Sequence, residues 1–323
     1  MKAIYCNSFS PDRPLDALQI GERPEPAAAP GWTTVSVRAA ALNGHDLWSL
    51  QGVGLSERDL PRILGSDAAG VDENGHDVII YPVISSPGSD QRRALDPATE
   101  PLLSERHDGT LAERVTVPLQ NVLPKPDFMT YEQAASLPTA WLTAYRMLFV
   151  QADLEPGATV LVQGASGGVS SALLALGNAA GFRMWATGRT EEKRAYALEH
   201  GAEQAFESGA RLPERVEAVM ETVGEATWSH SMKVLRPGGT IVVAGATTGP
   251  SPSADLQRLF FLGLRIVGTR VGTLAEMRQL LAFCTQNKLA PSIDSVYPLD
   301  QGRNAFERLQ SGRAAGKIVL TVG

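Results

Sequence analysis

The sequence predicts an α/β fold in which a doubly wound parallel sheet follows a β-rich segment. Three observations carry that prediction. Residues 1 to about 120 show short period-two runs separated by turn residues, the mark of antiparallel strands with irregular loops. From about 120 onward, apolar β-type runs alternate with helical patterns, as in a parallel sheet covered by helices on both faces. Within that second texture, Val160-Leu161-Val162-Gln163 runs into Gly164-Ala165-Ser166-Gly167-Gly168, a strand entering a glycine turn ahead of a helix.

The elements follow in order. Residues 32–38 alternate with period two, 78–81 form a short apolar run, and 114–117 end at Pro118. Between Pro82 and Gly109 a stretch rich in Pro, Ser and charge has no clean periodicity; a long loop of this kind inside a compact domain commonly has a function. Residues 159–163 read as a buried strand and lead to a helix through 173–176; 183–187 are the next strand, and a helix over 191–200 stops at Gly201. Strands at 218–221 and 240–244 flank a helix that ends at Pro237-Gly238-Gly239, and 264–268 is the last strand of the sheet. The tail carries amphipathic helices near 274–286 and 302–311 and a final strand at 317–321.

Composition excludes several classes. The chain has 323 residues, 43% hydrophobic and 20% charged, which places it among globular proteins of about two domains and away from disordered chains. Its 29 Lys+Arg against 35 Asp+Glu give a net charge of -6, so the basic footprint of a nucleic-acid binder is missing. Cys6 and Cys284 lie at opposite ends of the chain, which excludes a disulfide framework and a cysteine-rich metal site. With no signal-like start and no apolar run of about 18 residues, a soluble cytoplasmic protein without membrane or nucleic-acid partners is expected.

The glycine turn points to a nucleotide. A tight turn needs residues tolerant of positive φ, the backbone must approach a pyrophosphate closely, and the helix start must offer free N–H groups. Gly164, Ser166, Gly167, Gly168 and Val169 are the candidate contacts, although the G-x-G-x-x-G pattern is not strictly met, because Ala165 and Ser170 stand at its outer places. The second strand ends in Thr187-Gly188-Arg189-Thr190, with no acid until Glu191. A carboxylate there would receive the adenosine ribose of NAD. Its absence, with Arg189 and Lys193 available to a 2′-phosphate beside Gly188, favours NADPH (NADP) over NADH.

Motifs in sequence order then resemble the medium-chain dehydrogenase/reductase superfamily, in its zinc-free quinone oxidoreductase branch. They are Ala41-Leu42-Asn43-Gly44-His45-Asp46-Leu47-Trp48, the run 60–70 closing in Gly65-Ser66-Asp67-Ala68-Ala69-Gly70, and Asp108-Gly109-Thr110-Leu111-Ala112-Glu113. The run 137–145, the glycine turn, Pro237-Gly238-Gly239 and Gly316-Lys317-Ile318-Val319-Leu320 complete the set. The resemblance implies a GroES-like catalytic domain formed by 1–122 and 272–323, with a Rossmann domain over 123–271 inserted and a nicotinamide in the cleft between them. Zinc-using relatives hold the catalytic metal by a Cys near Gly44, a His near Ser66 and a further Cys or acid, and a structural zinc by four Cys in the place of 82–109. Neither cysteine of this chain falls in those segments, so both zinc sites are expected to be absent. His45-Asp46 and His76-Asp77 read as loop hydrogen-bond pairs rather than metal ligands.

By the same resemblance, Asn43 projects toward the nicotinamide with His45 and Asp46 beside it, Asp46 being also a candidate turn brace. Thr143, Val223, Gly245, Ala246, Thr269, Gly272 and Lys317 are carried over as further cofactor contacts. Trp48 and Trp141 are candidates for a pocket wall or for the core. Hydride delivery without a metal suits an electrophilic acceptor, so the expected activity is NADPH-dependent reduction of a quinone or an α,β-unsaturated carbonyl. The alternatives are an alcohol/aldehyde dehydrogenase of the same superfamily and a low-turnover NADPH-binding sensor or scaffold. The absence of Tyr from 51–54 speaks against an acyl-thioester specialist. A homodimer through the sheet edge near 259–268 is expected.

Overall fold

The computed structural model describes residues 1–85 and 99–323. The middle of the irregular stretch between Pro82 and Gly109 lies outside the described residues; its two ends are tied together, Ile84 N–H donating to Pro101 O (3.0 Å) and Leu103 N–H to Pro82 O (2.8 Å). The chain forms two compact units, Met1–Thr139 with Thr273–Gly323, and Ala140–Gly272.

The first unit begins with strands β1 (Lys2–Cys6), β2 (Leu18–Glu22) and β3 (Trp32–Ala41), helix α1 (Gly44–Leu50), and strands β4 (Arg62–Ile63), β5 (Asp67–Asp72) and β6 (Asp77–Ile80). Strands β7 (Arg114–Pro118) and β8 (Val122–Pro124) and the short helix α2 (Tyr131–Ala135) follow. In β3, Thr33, Val35 and Val37 are buried while Ser36 and Arg38 are exposed, the alternation that period two imposes on a half-covered sheet. From Ala39 to Ala41 both faces of β3 are buried.

The division between the units corrects the expected boundary. Residues 123–139, read as the start of the inserted domain, belong to the first unit. The reason is pairing and packing: β8 runs antiparallel to β6 with Ile79 opposite Leu123, and α2 packs on β3 and β5. The helical texture after residue 120 belongs to a helix that covers the antiparallel sheet.

The second unit holds α3 (Leu142–Arg146), β9 (Thr159–Val162), α4 (Gly168–Ala179), β10 (Arg183–Gly188), α5 (Glu191–Glu199) and β11 (Gln204–Glu207). It continues with β12 (Val216–Glu221), α6 (Glu225–Val234), β13 (Leu235–Val243), α7 (Leu256–Phe261) and β14 (Arg265–Gly268). The six strands are parallel in the order β11-β10-β9-β12-β13-β14. This is the 3-2-1-4-5-6 order of dinucleotide-binding folds, with the topological switch between its first and fourth strands, here β9 and β12. The buried runs Thr159–Val162 and Val216–Glu221 are near-continuously apolar because helices cover both faces. Pro237-Gly238-Gly239 does not follow the helix directly as expected: β13 opens at Leu235, and the register jumps from Val216 opposite Leu235 to Ala218 opposite Thr240. The turn is thus a bulge inside the strand, with Gly238 N–H donating to Leu262 O at 2.8 Å.

Helix α8 (Leu274–Asn287), β15 (Ile293–Pro298), α9 (Gly302–Gln310) and β16 (Lys317–Thr321) return to the first unit. There β16 pairs antiparallel with β3, Leu320 opposite Ala40, and parallel with β15. Among the described residues no helix is long and apolar enough to cross a membrane.

Candidate active site

In the first unit, three predicted residues meet in one buried cluster. Asn43 is the N-cap of α1, and Asp46 at the third helical position accepts from Asn43 N–H at 2.8 Å, one half of a capping box. The Asn43 side chain also reaches away from the helix start. Its Nδ2 donates to Asp67 Oδ2 (2.8 Å) and its Oδ1 accepts from Lys317 Nζ (2.6 Å). The ammonium also donates to Leu42 O (2.7 Å) and faces Asp67 Oδ2 at 3.4 Å. With 3% exposure and its three donors directed at these oxygens, Lys317 braces Asn43. Burial, reinforced by the Asp67 carboxylate and opposed by Asn43 N–H and Lys317, pushes the Asp46 carboxyl up to about 7. Burial also holds the Lys317 ammonium below its ordinary range, against the pull of Asp67 and Asp46.

Asp46 thus braces the turn, as the alternative reading of it had it. His45 sits apart from the cluster, its Nε2 at 3.9 Å from Glu105 Oε1. His76 lies in the β5–β6 hairpin, where Asp72, not the Asp77 expected from the sequence, accepts from its N–H (2.8 Å) and meets its ring (3.3 Å). Sequence reasoning missed two members of the neighbourhood. Ser66 Oγ lies 3.5 Å from Asn43 Nδ2 and 3.0 Å from Thr139 Oγ1, and Asp67 receives both Asn43 and Lys317. Ser66 and Asp67 are fully buried polar residues in an otherwise apolar run, which was the available signal. Trp141 is in the core at 2% exposure, whereas Trp48 is exposed.

In the second unit most of the remaining candidates follow the carboxyl ends of the parallel strands. Gly164 adopts φ +84°, and a Cβ built there would come no nearer than 3.4 Å to Val223 and 3.8 Å to Ser170; only the Ser170 hydroxyl lies within 4 Å of one at Gly167. The turn therefore has left-handed backbone with space above it. Helix α4 starts behind it with Gly167 as N-cap and no side-chain cap, so the first-turn N–H groups of Gly168, Val169 and Ser170 point outward toward that space. Gly188 ends β10, and a Cβ there would stand 3.4 Å from Ala165 and 3.0 Å from Arg194 Cγ. The two strand-to-helix turns are thus in contact. Arg189 is exposed just beyond, and Lys193 lies in the first turn of α5, its N–H capped by Thr190 Oγ1 at 3.3 Å.

Val223 follows β12, Gly245 and Ala246 follow β13, and Thr269 follows β14; Thr248 N–H donates to Val223 O (2.8 Å) and Thr269 N–H to Val243 O (2.9 Å), so these loops are joined. Gly272 closes the unit, and Thr143, 7% exposed, lies on α3. A glycine cradle at a helix start, on the switch side of a 3-2-1-4-5-6 sheet, suits the pyrophosphate of a dinucleotide. Asp46, Asn43 and Lys317 belong to the other unit. A hollow of about 610 Å³ in the first unit, bordered by Trp32, Ile84, Arg106 and His107, contains none of the predicted residues.

The fold and this cradle define a dinucleotide-dependent oxidoreductase class, and comparison with known proteins names it. Residues 29–127 match the family described as the alcohol dehydrogenase GroES-like domain, and residues 195–320 that described as zinc-binding dehydrogenase. The chain belongs to the medium-chain dehydrogenase/reductase superfamily. It is 29% identical to the synaptic vesicle membrane protein VAT-1 homolog of Rattus norvegicus, over 95% of this chain and 81% of that one. It is 28% identical to the crotonyl-CoA carboxylase/reductase of Cereibacter sphaeroides, over 92% and 82%. The solved structure of an NAD-dependent alcohol dehydrogenase superposes with a TM-score of 0.92 at 29% identity, covering 100% of both chains.

The zinc in that family description calls for a particular donor set. A catalytic zinc takes three protein ligands from Cys, His and carboxylate. Among the described residues no group of three or more His, Cys, Asp or Glu is placed to hold a metal ion. Around Ser66 the donors are an amide, two hydroxyls and a single carboxylate, Asp67, whose Oδ2 already receives Asn43 and Lys317, one zinc-type ligand where three are needed.

Proposed function

We propose that the chain is an NADPH-dependent, metal-independent reductase of quinones or α,β-unsaturated carbonyls. What supports the acceptor class is the Asn43-Ser66-Thr139 neighbourhood, neutral amide and hydroxyl groups braced by Lys317 and Asp67, in the segments where the resemblance implies a zinc in metal-using relatives. Hydrogen bonds of this kind stabilise a developing oxyanion but do not activate an alcohol as a metal does. A conjugated acceptor asks less of them, since its β-carbon is already electrophilic. The Cereibacter sphaeroides relative is named for a crotonyl thioester, itself a conjugated carbonyl, which supports the enone side of the proposal.

Bound NADPH supplies a hydride. Gly164, Gly167 and the first-turn amides of α4 receive its pyrophosphate, and Arg189 with Lys193 receives the 2′-phosphate. Within the first unit the Asn43 side chain is fixed in place, its Oδ1 by Lys317 and its Nδ2 by Asp67. The proton that accompanies the hydride would come from solvent. The functional protein is a homodimer in this reading, joined through β14.

The test is NADPH oxidation with a panel of quinones, enals and enones, run with and without a zinc chelator. Turnover that survives chelation, and an Arg189→Ala variant whose preference for NADPH over NADH falls about ten- to a hundredfold, are expected. Stoichiometric zinc with turnover of alcohols would favour the dehydrogenase reading instead, and an unchanged preference in the variant would remove Arg189 from the phosphate site. Binding of NADPH without oxidation by any acceptor would leave the sensor reading.

A further inference from the structure

The carboxyl edge of the parallel sheet contains a buried polar line that none of the cofactor contacts accounts for. Gly164 N–H donates to Thr187 Oγ1 (3.2 Å), and Thr187 Oγ1 donates to Gln163 Oε1 (2.7 Å). Gln163 Nε2 donates to Ser231 Oγ (3.0 Å) and to His230 Nδ1 (2.9 Å), while His230 Nε2 donates to Ala210 O (2.8 Å). Ser231 Oγ then donates to Glu221 Oε2 (2.6 Å). The carboxylate ends the line. Its Oε1 accepts from Val223 N–H (2.8 Å) and Gly224 N–H (3.1 Å), and Thr227 Oγ1 reaches both oxygens at 2.9 Å.

Gln163, Thr187, Glu221 and Ser231 are all 0% exposed. Buried polar groups of this number are costly unless each is satisfied, and satisfied ones specify a single arrangement. The sense of every bond is set by its ends: a backbone N–H that can only donate at Gly164, and a carboxylate that accepts at Glu221. The line links β10, β9 and β12, so it crosses the topological switch where ligands of such sheets bind. Its two termini, Gly164 and Val223, are the places assigned to the dinucleotide, and Val223 Cγ2 lies 3.4 Å from a Cβ built on Gly164.

We propose that Thr187 and Gln163 are positioning residues for the dinucleotide: through the relay from Glu221 they hold the N–H of Gly164, and with it the left-handed turn that receives the pyrophosphate. This rests on the dinucleotide reading of the turn. It also separates two contributions to cofactor binding, because the relay acts on a pyrophosphate shared by NADPH and NADH, whereas Arg189 acts on the 2′-phosphate alone.

Thr187→Val keeps the shape and removes both hydroxyl bonds; Thr187→Ser restores the hydroxyl. In equilibrium fluorescence titrations of the purified chain with NADPH and with NADH, the valine variant is expected to bind both about tenfold more weakly, and the serine variant to bind close to wild type. A folded valine variant with wild-type affinities, even one with a lowered Tm, overturns the proposal, as does a loss confined to NADPH. If the valine variant does not fold, Ser231→Ala carries the same comparison: a several-fold weakening toward both dinucleotides is expected, and unchanged affinity overturns the relay. Wild-type binding with unaffected variants sinks the relay alone, whereas a wild type that binds neither dinucleotide sinks the relay and the reading beneath it.

Discussion

At the scale of single residues the buried cluster around Asn43 makes a pH prediction. Burial and the nearby Asp67 raise the Asp46 carboxyl to about 7, so the folded chain binds this proton more tightly than the unfolded chain does. For a raised value the associated stability is fully present below about 4 and is lost as pH climbs through about 7. Asp46→Asn keeps an acceptor for Asn43 N–H and removes the ionisation. Relative to wild type, it is expected to gain stability as pH rises from 4 to 7, by at most about 1.4 kcal/mol per pH unit. Urea unfolding at pH 5 and pH 8 measures this, and parallel pH dependences for the two proteins would refute the assignment. The sequence made Asn43 and Asp46 legible through local spacing, Asp46 standing three residues after an N-cap candidate. Lys317 was legible as a site residue but not as the brace of Asn43, because its partners Leu42 and Asp67 are 275 and 250 positions away and no local pattern encodes such a contact.

At the scale of elements, periodicity made the strand–turn–helix units readable, since β9, β10 and β12 are buried runs that announce themselves by composition. Strand β11 is half-buried and only four residues long, too short and too mixed to stand out. The relay was present in the sequence as a weaker sign: each of the three neighbouring apolar runs closes on a polar residue, Gln163, Thr187 and Glu221. The loop after β12 is locked by backbone as well. Gly224 has φ +93°, and a Cβ there would lie 2.6 Å from Gly249 O and 2.9 Å from Ala246 Cα. Gly157 also has positive φ, at +80°, but nothing lies within 4 Å of its Cβ position. Gly157→Ala is therefore expected to cost about 1–2 kcal/mol from backbone conformation alone, and Gly224→Ala about 2–4 kcal/mol because the backbone of residues 246–249 must also move. Urea midpoints for the pair decide it, and equal losses would show that the close approach of the two loops is not tight.

At the scale of the whole molecule, the return of the C-terminal strand to the first unit was accessible only through resemblance, for pairing β16 with β3 joins segments that share no local signal. The opposite edge of the second unit raises the remaining question. Strand β14 is the last of its sheet and pairs on one side only, with β13. Beside it Phe260 and Phe261 are 73% and 79% exposed, Leu256 66% and Ile266 40%. An open strand edge flanked by large apolar side chains invites pairing with another chain. A second copy placed across a two-fold axis satisfies both needs at once, since the same edge meets itself and the interface is closed. This surface underlies the proposed homodimer. Light scattering of the wild type is expected to give twice the chain mass of 34.4 kDa, and Ile266→Lys with Phe261→Asp is expected to give the single mass. Because both residues are exposed in one chain, the double variant should keep its fold by circular dichroism and its NADPH affinity. A monomeric wild type, or a double variant that remains dimeric, would place the interface elsewhere or remove it.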